Sequence, residues 1–135
     1  MFGKCFLLGL YLTLSTAFAQ QSDRVKLGNL KTGESVLFVR TSGGEWGIEI
    51  SGGTSPRLTQ KTPAHIEVFR AEGDIRDLAA GYTTLQPSDS GIDARVDITY
   101  GEHVVFRVHD RWRLNGAVVS MRRKVEVAGN AQGGF

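Results

Sequence analysis

A chain of 135 residues with 17 glycines and three prolines has room for one domain with a modest core, and leans toward turn-rich β structure. Its formal charge of +2 is small for a nucleic-acid binder, whose affinity rests on many phosphate contacts. The single cysteine, Cys5, lies in a segment that reads as a leader, so a mature chain would hold no disulfide, thiolate metal site or cysteine nucleophile.

That leader is Met1–Ala19. Lys4 is its only basic residue, Cys5–Leu14 is an apolar run, and Ala17-Phe18-Ala19 matches a signal-peptidase site. The run is too short for a membrane span. The expectation is export, to the periplasm or outside the cell, with no membrane span in the mature form. Loss of Lys4 lowers the formal charge from +2 to about +1, so the basic isoelectric point says little about partners. The predicted domain is 20–128. A glycine-rich tail, 129–135, reads as a truncated connection to a missing domain.

In chain order, Gln20–Lys31 reads as a lead-in or weak edge strand. Ser35–Arg40 is a nearly continuous apolar run, the pattern of a strand covered on both faces. After the turn Thr41–Gly44, Glu45–Ile50 alternates, with Trp46, Ile48 and Ile50 on one side, and the two segments form a hairpin. Ser51–Lys61 reads as loop and Pro63–Arg70 as a strand with Ala64, Ile66 and Val68 on one face. In the irregular stretch Ala71–Ser90, Asp74–Ala80 is a candidate short helix capped by Asp74, and Gly81–Leu85 a candidate short strand. Gly91–Tyr100 alternates again, and a three-residue loop at Tyr100-Gly101-Glu102 aligns its apolar face with Val104, Phe106 and Val108.

The most regular pattern is His103–Val127. Asn115-Gly116 is a strong type I′ turn pair, and with it as the turn, Trp112 opposes Val119, Asp110 opposes Met121 and Val108 opposes Arg123. The prediction is an all-β fold, an antiparallel β-sandwich or partial sandwich with a C-terminal three-stranded meander.

Several constellations carry candidate chemistry. Asp110 and Arg123 share the apolar face, diagonal in that register. A buried carboxylate needs a partner, so a structural ion pair is expected, with a catalytic role for Asp110 the alternative. A second carboxylate for acid/base hydrolysis is not evident on that face. The opposite face carries Arg107, His109, Arg111, Arg113, Arg122 and Lys124, with His109 expected opposite Arg122 and Arg107 opposite Lys124. It reads as a solvated mixed-charge face, a dock for an acidic partner domain, or a site for an anionic polysaccharide. Trp46 and Trp112 are expected in the core, and Tyr82 as an exposed ring able to stack on a sugar. The candidate contacts to carbohydrate or a partner are therefore Tyr82, Arg107, His109, Arg111 and Arg122. His65, His103 and His109 show no metal-ligand spacing. No G-x-S-x-G elbow is present, and no catalytic, metal or cofactor residue is assigned.

Asp110-Arg111-Trp112, Gly116, Arg123–Gly129 and Gly133-Gly134-Phe135, with Ala79-Ala80-Gly81-Tyr82 and the alternating Gly91–Tyr100 segment, give the stretch Pro63–Phe135 a resemblance. It resembles the N-terminal β-sandwich that precedes the (α/α)6 barrel of secreted bacterial six-hairpin glycosidases. The resemblance implies a module that supports a catalytic barrel and shapes one wall of its cleft. The acid and base of such a glycoside hydrolase come from the barrel, so no catalytic residue carries over and no activity is expected of this chain alone. The other readings are a stand-alone carbohydrate-binding module and a structural envelope β protein.

Overall fold

A computed structural model describes residues 22–130, in ten strands and no helix. The signal-peptide expectation and the end of the glycine-rich tail lie outside the described residues. The fold is all-β and sandwich-like, built from antiparallel sheets.

The first sheet has the order β1-β2-β3-β4, from β1 (Arg24–Asn29), β2 (Glu34–Arg40), β3 (Trp46–Gly52) and the three-residue β4 (Leu58–Gln60). β1 is the edge strand anticipated for the lead-in, with an irregularity between Lys26 and Gly28. β2 buries Val36 and Phe38, while Leu37 and Val39 on its other face are only half-buried, so it is not covered on both faces. β4 lies inside the stretch expected to be loop and pairs with β3.

Next comes a two-stranded ribbon, β5 (Ala64–Phe69) and β6 (Ile75–Ala80). β6 replaces the helix expected at Asp74–Ala80. The i, i+3 spacing of Ile75 and Leu78 suits a helix, but the chain turns back between Arg70 and Asp74, with Gly73 at φ 82°. Leu78 then faces Ile66 across the ribbon. Tertiary pairing outweighs a local pattern this short.

The C-terminal sheet is a meander of four strands rather than three: β7 (Thr84–Ser88), β8 (Gly91–Tyr100), β9 (Val104–Asn115) and β10 (Val118–Gly129). Pro87 sits on edge strand β7, where its missing N–H is tolerated. Three residues, Gly101 to His103, join β8 to β9, since Tyr100 pairs with Val104. The loop length is as expected and its position one residue later.

The β9–β10 turn corrects the sequence register. Asn115 pairs with Val118, so the turn residues are Gly116-Ala117. Only Gly116 among them has positive φ, 65°, the pattern of a type II′ turn with glycine first. Pairing slips by two residues, which leaves every side chain on its predicted face but changes its opposite number. Asp110 faces Arg123, not Met121; Val108 faces Val125; Trp112 faces Met121.

The core joins these layers. Val36, Phe38, Trp46 and Ile48 of the first sheet, Ile66 and Val68 of the ribbon, and Ile92, Val96, Ile98, Phe106 and Val108 of the meander form one buried cluster. Phe38 is fully buried, its ring 5.9 Å from Trp112 and 6.1 Å from Tyr82. Trp46 is buried beneath the Arg40 guanidinium, 4.5 Å from the ring centroid, and Trp112 is half-buried.

Candidate functional site

The segment from Gly81 to Thr83 crosses between the ribbon and the meander. Trp46 and Tyr82 exchange backbone hydrogen bonds of 2.8 and 2.9 Å, which tie this crossing to β3. Tyr82 is therefore not the exposed ring expected from sequence; it is 0% exposed. Its side chain enters a polar network inside the sandwich.

Asp110 is the centre of that network and is also 0% exposed. Arg123 donates from Nε to Oδ1 at 2.8 Å and from Nη2 to Oδ2 at 2.6 Å, a two-pronged pair. The same guanidinium donates to the carbonyls of His65 and Pro63, each at 3.0 Å. The Tyr82 hydroxyl donates to Asp110 Oδ2 at 2.5 Å and accepts from Trp112 Nε1 at 3.0 Å. Burial pushes the Tyr82 hydroxyl well above the usual phenol range, and the hydrogen bond to Asp110 adds to the rise. The hydrogen bonds to Asp110 raise Arg123 further, against the opposing effect of its partial burial. Both oxygens of Asp110 are committed and enclosed, so it cannot meet a substrate. The network pins β5, the 81–83 crossing, β9 and β10 together, which is structural work.

The outer face of the meander is different. Arg107, Arg111 and Arg122 are exposed and His109 is half-buried, all on one surface with Arg95, Arg113 and Lys124. The slipped register changes the charge neighbours. Arg107 faces Glu126 on one side and Asp97 on the other, not Lys124. His109 faces Lys124, and Arg111 faces Arg122. Like charges set directly opposite are unfavourable, and Asp93 offsets part of this. It accepts from Arg111 Nε at 2.9 Å and sits 3.2 Å from His109 Nε2. The bond from Arg111 holds the Asp93 carboxyl below its usual range against partial burial, and His109 lowers it further. Lys124 binds Glu126 at 2.7 Å and lowers its pKa likewise.

A shallow depression of about 390 Å³ at this face is lined by His109, Arg111, Arg122, Arg123 and Lys124, although the Arg123 guanidinium itself is turned to Asp110 on the other face. A neighbour of about 340 Å³ mixes Arg95, Arg107 and Lys124 with Asp97 and Glu126. Neither depression is lined by a tryptophan, tyrosine or phenylalanine ring that could stack on a neutral sugar. No family model, curated protein or solved structure matches the chain.

Two clusters were not visible in the sequence. Glu49, placed on the polar side of its strand, is 2% exposed because the loop before β4 folds over it. Its carboxylate accepts from Arg57 and, at 3.1 Å, from Ser51. Burial opposes its ionisation, yet the bonds from Arg57 and Ser51 prevail and its pKa is lowered. On the ribbon, His65, Glu67 and Asp77 bring ligand-type atoms within 4.8 Å of one another at an exposed surface, with His65 Nε2 3.4 Å from Asp77 Oδ1. Cross-strand pairing of Glu67 with Asp77 creates that cluster, and linear spacing carries no sign of it.

Proposed function

We propose that this chain is a non-catalytic β-sandwich module that binds an anionic surface through the outer face of β8–β10. The observation that carries the reading is the depression where His109, Arg111, Arg122 and Lys124 meet, with Arg123 at its border and its guanidinium turned to Asp110. Enclosure of Asp110 supports the non-catalytic part. Taken with the glycosidase resemblance, the anionic surface is the acidic side of a catalytic domain in an exported carbohydrate-active enzyme.

The second reading keeps the face and changes the ligand: a stand-alone module that holds an anionic polysaccharide. Burial of Trp46 and Tyr82 counts against recognition of neutral sugars by ring stacking.

Two measurements test this. The DNA after the Phe135 codon is read: an in-frame continuation with a helical-hairpin pattern supports the partner-domain reading, and a stop codon moves the weight to the polysaccharide. Affinity electrophoresis through polygalacturonate, with neutral dextran as control, tests the face itself. Retardation by polygalacturonate alone, lost in R111E/R122E, is the expected result. Equal retardation by both polymers, or by neither polymer together with no acidic partner domain, would remove the proposal.

A further inference from the structure

The free edges of the two sheets are not alike. β4 is three residues long, β1 is irregular at Lys26/Gly28, and β7 carries Pro87. Each of these discourages another strand from adding on. β10 has none of these three features, and its only guard is its charges, Arg122, Arg123, Lys124 and Glu126. It runs twelve residues, pairs with β9 in unbroken register from Val118 to Gly129, and lacks proline. Among the described residues no strand pairs with its outer side. Met121 and Val127 on it remain 41% and 43% exposed although they lie on its core-side face.

We propose that β10 pairs antiparallel with β10 of a second copy of this chain, about a two-fold axis at Val125. Such an axis keeps the inner and outer faces of the two sheets aligned, so residues of like parity must oppose one another. In the register centred on Val125, Lys124 of each copy faces Glu126 of the other, and Val125 faces itself. Met121 then lies opposite Gly129, and Arg123 opposite Val127. The neighbouring registers are worse. Centring on Lys124 opposes two lysines, centring on Arg123 opposes Arg122 to Lys124, and centring on Glu126 opposes two glutamates. Among the registers centred from Arg123 to Glu126, the one on Val125 alone places no like charges directly opposite, and it sets Lys124 against Glu126 twice. The existing Lys124–Glu126 contact of 2.7 Å within the strand shows that the two side chains already share the outer surface. Pairing makes one continuous sheet and sets the two basic faces side by side. It depends on the edge and its charge order, and stands independently of what the basic face binds.

The test is sedimentation velocity of the purified protein over a concentration series, with K124E, E126K and the double variant K124E/E126K. Circular dichroism melts confirm that each variant is folded. The wild type is expected to dimerise. Each single reversal turns two attractive pairs repulsive and weakens the dimer roughly tenfold or more, and the double variant restores it. A wild type that stays monomeric at its highest soluble concentration overturns the proposal. So does a dimer indifferent to the single reversals, or a double variant that stays dissociated.

Discussion

The buried pair Asp110–Arg123 makes a quantitative test of how the sandwich is held. Arg123→Met removes four donated hydrogen bonds, two to Asp110 and one each to the carbonyls of Pro63 and His65. It leaves a fully enclosed carboxylate with Tyr82 as its remaining partner. Breaking one side of a buried ion pair costs about 3–5 kcal/mol, and this variant belongs at the upper end. Asp110→Leu belongs at the lower end, since the Arg123 side chain keeps 23% exposure and two carbonyl acceptors. A domain of this size has a total stability of about 5–15 kcal/mol, so either change takes a large share. The double variant Asp110→Leu/Arg123→Met removes both charges together, and its cost should fall short of the sum by about 2 kcal/mol. Urea denaturation with unchanged m-values is the assay. Additive costs, or single costs below about 1 kcal/mol, would refute the claim that this pair organises the interior.

Further outcomes follow from the same geometry. Tyr82 favours its neutral form in the fold, so its contribution is complete below the unfolded phenol pKa of about 10. It is lost as pH rises from there toward the higher folded value; Tyr82→Phe should flatten that alkaline loss in pH-dependent melts. Asp93 is the opposite case: its folded pKa is lowered, so its contribution is present above about pH 4 and lost as pH falls through the folded value. Asp93→Asn should remove that part of the acid-side slope. Gly91 has φ 141°, and a Cβ there would lie 2.0 Å from the Trp112 carbonyl oxygen. Gly91→Ala should cost about 1–3 kcal/mol or more, whereas Gly43→Ala, which meets only Thr41 Oγ1 at 3.7 Å, should change the urea midpoint little.

Alternation in Gly91–Tyr100 and His103–Val127 made the meander legible, because one buried face imposes a period of two on the sequence. The turn was harder. Asn115-Gly116 and Gly116-Ala117 are both workable two-residue turns, and they differ by a slip that keeps each side chain on its face. Apolar patterning is blind to that choice. What distinguishes the observed register is non-local: Asp110 lands opposite Arg123, Arg107 opposite Glu126, and the Lys31 N–H reaches the Gly116 carbonyl at 3.3 Å. Tyr82 was misplaced for a related reason. Its segment has no alternation of its own, and its burial follows from the bridge to Trp46 and from Asp110, 28 residues away. The basic face was readable residue by residue, but the partners of Asp93 depended on the register of β8 against β9.

Salt dependence of polyanion binding tests the functional account most directly. Titration of the protein with polygalacturonate at several salt concentrations gives the slope of log affinity against log salt, which reports the ionic contacts made. The account predicts measurable binding at low salt, a steep negative slope, and a shallower slope with weaker binding in R111E/R122E. Binding that is independent of salt, or an unchanged slope in that variant, would contradict a cationic recognition face.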